Sequence, residues 1–437
     1  MAWSLRENIL FREIGGGLKE GKTLLGYFFV QMVGLAMTML VPLVVANFFS
    51  KDLFGRYSLS EMVIFFFVAF LVGAIKVPFI VSANNERVNS GKINKSFSVQ
   101  VIFLFASVLL FLAVSTIFKG PLMRFAKISG GEFLFLGLGF LGFAFKDFLG
   151  NLFLALNERL KQAFVEAAFG LSALSCIFIF YLVNRINLKS VFFAYFISSI
   201  IVFVIFLKVI NVKLLLPLVF DKRHFTEIFH FTKWVTFGAG AAYFINWGDN
   251  LVLRYFVSMD EIGVYNLAYK FFKGLTALVY LMPSYFLPFI SENINNPEKI
   301  RHYLAKKRPK IFLAGCVGLI IAFLVTPHFL NLIYQHKYDD AAPVLRILIV
   351  ATALLLYAAF YSPVFYAFKK YKFAQVASVI QVVINLILDV ILVPFVGISG
   401  AAIATMCGYL FLVVSCELYF RCKVKRLFES VDSAAKS

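Results

Sequence analysis

The chain reads as an all-α membrane protein of about twelve transmembrane helices. Three observations carry that reading. Of its 437 residues 61% are hydrophobic and only 15% charged, well below the roughly 25% charge of soluble domains. Apolar runs recur along the whole chain at about the 20-residue length that a bilayer core demands. Lys and Arg, which leave a net charge of +19, gather in the short connections between those runs, as loops facing the cytoplasm do. Most of the 55 Phe residues lie inside the runs, so they are not the stacking platforms of a nucleic-acid-binding surface.

The expected spans are 23–49, 56–82, 96–118, 131–156, 162–184, 190–212, 231–257, 262–291, 309–335, 341–368, 373–395 and 399–420. With both termini cytoplasmic, and with the span-end cations Arg56, Lys208, Lys233 and Lys310 counted in the adjoining connections, the inner segments carry 28 Lys and Arg, the outer loops 8, and the span interiors 6. That bias sets the orientation. Residues 1–22 form an interfacial segment without the apolar core and cleavage site of a signal peptide. Next come an N-terminal six-helix lobe (23–212), a basic cytoplasmic linker (213–230), a C-terminal six-helix lobe (231–420) and a cytoplasmic tail (421–437).

Two patterns point to other chemistry and fail. GGLKEGKT (16–23) satisfies the phosphate-loop pattern, but such a loop cradles phosphate only between a strand and a helix of an α/β domain. Here Lys22 and Thr23 run straight into an apolar span, so ATP hydrolysis is excluded. The five cysteines form no C-x-x-C and the five histidines no ligand-spaced pair, which argues against metal and disulfide chemistry. No cofactor is expected beyond a coupling proton or sodium ion.

SKDLFGRYSL (50–59) and SMDEIGVYNL (258–267) share Ser, Asp, Gly, Tyr and Leu in register. LFLALNERLKQA (152–163) and VFYAFKKYKFAQ (364–375) echo each other at nearly the same offset. An offset of six helices preserves topology, so these read as parallel repeats, two six-helix bundles related by an axis along the membrane normal. With GISGAAIAT (397–405) opening the last span, these motifs resemble the polysaccharide and O-antigen (Wzx-type) flippases. Those belong to the multidrug/oligosaccharidyl-lipid/polysaccharide (MOP) exporter superfamily. The resemblance implies a V-shaped, MATE-like fold. It also implies transfer of an undecaprenyl-diphosphate-linked oligosaccharide, as for O-antigen or lipopolysaccharide, from the inner to the outer leaflet of the bacterial cytoplasmic membrane. It carries over no sugar-reading motif.

Charges inside the spans indicate where such a substrate would bind. A charge at mid-bilayer costs at least about 2.5–3.5 kcal/mol, so each needs a partner or a function. On span 7, Asn246, Asn250 and Arg254 recur at i, i+4 and i+8; span 8 repeats the pattern with Asn266, Lys270 and Lys273. With Lys76 and Lys146 of the first lobe, these are the candidate contacts to a diphosphate, for which Arg supplies a fork and Lys a point charge. Ion pairing within a lobe is the competing reading. Asp249 falls at the depth of Lys270, Asp147 adjoins Lys146, and Arg346 is placed to pair with Asp389. Asp389 is alternatively a protonatable coupling site, with Glu166 a weaker one. Gln381 and Asn385 are placed to face sugar. Pro42, Pro78, Pro283, Pro288 and Pro363 interrupt spans and permit bending.

The expected function is therefore a flippase, a secondary transporter and not an enzyme, working with membrane lipid and possible partner proteins of polysaccharide assembly. A cation-coupled drug exporter of the same superfamily and a lipid-II-type flippase are the alternatives. A drug exporter would hold hydrophobic cations on buried carboxylates and aromatics, whereas in-span cations here at least match the acids. A polymerase or ligase lacks its large outer loop and its acid–base constellation. A scaffold gives no reason for Lys270 and Lys273.

Overall fold

A computed structural model describes residues 29–424, apart from 294–295 and 369. The expected interfacial segment 1–22 and most of the expected tail, 425–437, lie outside the described residues. Among these residues there is no strand. The helices are α1 (Phe29–Phe48), α2 (Lys51–Phe67), α3 (Lys76–Ser90), α4 (Asn94–Ile117), α5 (Lys119–Ala126), α6 (Gly130–Ala155), α7 (Arg159–Leu182) and α8 (Leu188–Leu207). There follow α9 (Lys222–Phe256), α10 (Met259–Val279), α11 (Leu281–Glu292), α12 (Pro297–His302), α13 (Arg308–Tyr334), α14 (Ala341–Ala359), α15 (Ser362–Ala367), α16 (Tyr371–Val396) and α17 (Ile398–Tyr419). Ten described helical segments are long and apolar enough to cross a membrane. Expected spans 7 and 8, which fall on α9 and on α10–α11, are not among the ten. These are the helices that carry Asp249, Arg254, Lys270 and Lys273.

The chain divides into two compact units. One comprises Met1–Val45 and Ser60–Gly240, the other Ala46–Leu59 and Ala241–Ser437. This differs from the expected lobes in two places. The outer turn of the first hairpin, 46–59, packs with the second unit. The expected linker 213–230 is part of the first. Leu215 and Ile228 are buried against Ile75, Phe79, Leu152 and Leu156, so the basic stretch is tied down by apolar side chains that a reading of its charge passes over. Polar straps add to this. Asn94 donates to the Pro217 carbonyl at 3.0 Å, and Ser98 accepts from the Val219 N–H at 2.9 Å. Lys95 pairs with Asp221 at 2.8 Å, and that hydrogen-bonded ammonium holds the Asp221 carboxyl down at about 2. His224 meets Ser96 at 2.8 Å and Ser82 at 3.1 Å, while Glu86 accepts from Ser96 at 2.7 Å.

In the first unit α6, α7 and α8 pack against one another, with α6 and α8 at a distance that a small residue allows. A Cβ on Gly142 would stand 2.7 Å from the Tyr195 carbonyl oxygen. Stacked and edge-on rings of Phe67, Phe111 and Phe140 fill the space beside it, in geometries that aromatic quadrupoles favour.

The second unit explains the echoed decapeptides. Ser50 accepts from the Leu53 N–H at 3.2 Å and Ser258 from the Glu261 N–H at 3.3 Å, so each Ser caps a helix start. Asp52 and Asp260 sit in first turns, where the helix dipole favours an acid. Tyr57, Tyr265, Leu59 and Leu267 are fully buried. The two glycines face each other. A Cβ on Gly55 would lie 2.1 Å from the Met259 oxygen, and one on Gly263 would lie 2.2 Å from the Lys51 oxygen. The start of α2 and the start of α10 therefore cross backbone to backbone, and only Gly fits there.

Candidate functional site

The most concentrated polar chemistry lies inside the second unit. Asp249 on α9 is buried and accepts from the Tyr265 hydroxyl of α10 and from Thr405 of α17 at 3.1 Å. With its amide oriented to satisfy both ends, Asn385 of α16 donates to Asp249 at 2.9 Å and accepts from the Thr405 N–H at 3.1 Å. One helical turn on, Asp389 is fully buried, and its carboxyl meets that of Asp249. Neither Asp389 oxygen has a hydrogen-bond donor. A cavity of about 20 Å³ adjoins the cluster, lined by Tyr269, Gln381, Asn385, Thr405 and Tyr409 among others. It has room for one water or one ion.

Two adjacent carboxyls buried this deeply need a positive charge between them, because the low-dielectric interior does not screen their repulsion. The surrounding oxygens of Thr405 and Asn385 are hard donors, suited to a proton or a small hard cation rather than to a transition metal. Among the described residues no group of three or more His, Cys, Asp or Glu side chains could hold a metal ion. The expected Arg346–Asp389 pair does not form. Arg346 donates through Nε to the Phe323 carbonyl at 3.1 Å and lies over that residue's ring, so cation–π and backbone contacts take the guanidinium. Gln381 and Asn385, expected to face sugar, are buried in this cluster. Tyr265 and Thr405 had no assigned role, although each lies within a decapeptide or nonapeptide singled out as a motif.

The second-unit cations gather on aromatics. Lys273 lies 4.2 Å from the Trp247 ring and 5.1 Å from Tyr269, and Lys270 lies 5.2 Å from Trp247. Both lysines and Arg254 are half-buried, and Asn246 is exposed. Asp249, at the depth of Lys270 in the sequence reading, accepts from Tyr265 and Thr405. Asn250, a candidate substrate contact in the sequence, is paired within the unit. It is buried and exchanges amide hydrogen bonds with Asn266 at 2.6 and 3.3 Å, which closes both side chains on each other.

In the first unit, Lys146 lies between Asp147 at 3.0 Å and Glu166 at 2.9 Å. Two carboxylates around one ammonium make this cluster anionic, so Lys146 does not offer a free positive charge to a diphosphate. Lys76 is exposed at the start of α3.

Residues 159–343 match the family described as polysaccharide biosynthesis protein. An uncharacterized membrane protein of Methanocaldococcus jannaschii is 24% identical over 258 residues, 56% of this chain and 50% of that protein. A probable low-salt glycan biosynthesis flippase of Haloferax volcanii is 24% identical over 189 residues, 42% of this chain and 39% of that one. The chain thus spans half or less of these curated relatives, both archaeal. Among solved structures, the lipid II flippase MurJ in an inward closed conformation superposes with a TM-score of 0.75. That alignment covers 93% of this chain and 89% of MurJ at 17% identity. An inward-facing multidrug resistance MATE family transporter of the MOP superfamily gives 0.72, covering 94% and 99% at 12% identity. The described residues form a helical membrane protein whose fold is similar to those of MurJ and the MATE transporter, and residues 159–343 match the family described as polysaccharide biosynthesis protein.

Proposed function

We propose that the protein is a flippase of glycan biosynthesis. It would carry a polyprenyl-diphosphate-linked oligosaccharide, with the undecaprenyl carrier of O-antigen units as the specific expectation, from the inner to the outer leaflet of the cytoplasmic membrane. Both termini would be cytoplasmic. The observation that supports an anionic substrate most directly is the half-buried pair Lys270 and Lys273 seated on Trp247. Aromatic faces hold the lysine ammonium groups in place, and a charge-assisted hydrogen bond from an ammonium to a phosphate oxygen is a strong one. Arg254 supplies a fork for a second phosphate oxygen. In the same reading Asp249 and Asp389 take up a proton or a sodium ion, whose binding couples transport to an ion gradient. The family match and the glycan flippase among the archaeal relatives agree with this substrate class. A drug exporter remains the alternative.

The test is thermal stabilisation of the purified protein by a polyprenyl diphosphate, beside a hydrophobic drug cation. A ligand at 100 times its dissociation constant adds about 2.7 kcal/mol to stability. The diphosphate should stabilise the wild type, and Lys273→Ala and Arg254→Ala should each weaken its binding about tenfold, the loss of one charged hydrogen bond. Stabilisation by the drug cation alone, unchanged in both variants, would sink the flippase reading.

A further inference from the structure

At the basic end of the second unit, three helices enclose a groove of about 370 Å³. It is lined by Phe312 of α13, Leu354 and Tyr357 of α14, and Val413, Val414 and Leu418 of α17. Val414 and Leu418 are 47% and 57% exposed. A neighbouring face of α13, with Leu313, Val317 and Ile320, is exposed as well. In a protein with membrane-spanning helices such apolar surface meets hydrocarbon, so the groove opens to lipid.

The end of the groove is polar and cationic. The Arg308 guanidinium is held between the rings of Tyr357 and Tyr361, 4.2 Å from each, and its Nη1 donates to the Tyr361 hydroxyl at 2.7 Å. Glu417 accepts from both tyrosine hydroxyls, from Tyr357 at 3.1 Å, and from Arg421 Nε at 2.6 Å. The Arg308 Nη2 is buried with no partner, while the Arg421 side chain is 71% exposed. Two arginines around one glutamate leave an unbalanced positive charge, and the exposed Lys306, Lys307 and Lys310 add to it. Two π-helical turns, Tyr303–Lys307 and Phe420–Val424, bring these basic residues to the end of the groove. Turns of that kind are frequent at functional sites.

We propose that this is a binding site for an anionic phospholipid of the cytoplasmic leaflet. One acyl chain occupies the groove, and the headgroup phosphate lies against Arg421 and the outer edge of the Arg308 stack. Charge selects the occupant. A zwitterionic lipid carries a cationic group into a rim that is already positive, and an anionic one does not. Basic pockets between helices on the cytoplasmic side bind such headgroups, and the excess of Lys and Arg assigns this end to that side. The site lies within the second unit and involves none of Lys270, Lys273 or Arg254, so it stands whether or not the flippase reading does.

The experiment uses delipidated full-length protein and measures binding of phosphatidylglycerol and phosphatidylcholine with identical acyl chains by native mass spectrometry. Phosphatidylglycerol should bind at least about fivefold tighter, the weight of one cation near the membrane surface. Arg421→Ala should abolish that preference. Val414→Trp, which fills the groove, should weaken both lipids at least fivefold. Val383→Trp, which adds the same bulk to an exposed position of α16, should bind as wild type does. Equal affinity for the two lipids, or Val414→Trp binding like wild type, overturns the proposal. One-for-one displacement of phosphatidylglycerol by a polyprenyl diphosphate also overturns it, since the groove would then belong to the carrier lipid.

Discussion

Asp389 is the residue whose chemistry is least balanced. Both its oxygens are buried without a donor, beside a second carboxyl that Tyr265, Thr405 and Asn385 already serve. A bound cation restores the balance, so stability should depend on it. The wild-type melting temperature should rise with sodium concentration, or with proton activity if a proton is the coupling ion, because a ligand of the folded state alone stabilises it. Asp389→Asn should be insensitive to both and, lacking the buried charge, should melt no lower than the wild type without the cation. A wild-type melting temperature indifferent to both ions would remove the coupling role. The polar stripe Gln381–Asn385–Asp389 was legible from its helical spacing. Its partner was not, because which acid or cation faces Asp389 depends on how α9, α16 and α17 pack. Matching depth on neighbouring spans made Arg346 the expected counterion, yet Phe323 holds it.

At the scale of elements, the crossing of α2 and α10 carries a sharp expectation. Gly55→Val would drive a side chain into the Met259 carbonyl, only 2.1 Å from where its Cβ must go. Overpacking of this kind costs about 1–3 kcal/mol, and with backbone as the obstacle the upper end applies. Gly238→Ala, within α9 with nothing inside 4 Å of the new Cβ, should be neutral or stabilise by about 0.5–1 kcal/mol, since Ala is the better helix former. Detergent melting curves of the two variants check both statements. Equal melting temperatures would mean that the backbone contact is not tight. The repeated decapeptide showed in the sequence that the two segments share a local structure. Nothing in either copy says that they touch, because a glycine spacing suits a close crossing without naming the partner.

For the whole molecule, the orientation rests on 28 basic residues against 8. It predicts that, in a variant with the five native cysteines replaced, Lys306→Cys in intact cells resists a membrane-impermeant maleimide while Lys337→Cys reacts. Lys337 belongs to the turn between α13 and α14. It donates to the carbonyls of Ala46 at 2.9 Å and Asn47 at 3.0 Å and to that of Phe49, which ends α1 by satisfying its last acceptors, and partial burial lowers its own pKa. The reverse labelling pattern would invert the expected topology and with it the proposed direction of transport.

What the amino-acid order determined alone is the solvent and the class of fold. Apolar runs of bilayer length, with cations gathered between them, admit only membrane-spanning helices, since backbone groups in lipid must be satisfied within the segment. Tertiary structure alone decided the partners. It paired Asn250 with Asn266, set Lys146 between two acids, drew the first hairpin's outer turn and the basic 213–230 stretch into cores, and joined Asp249 to Asp389. Hydropathy is a property of each segment, whereas the neutralisation of a buried charge depends on distances that exist only after the helices have packed.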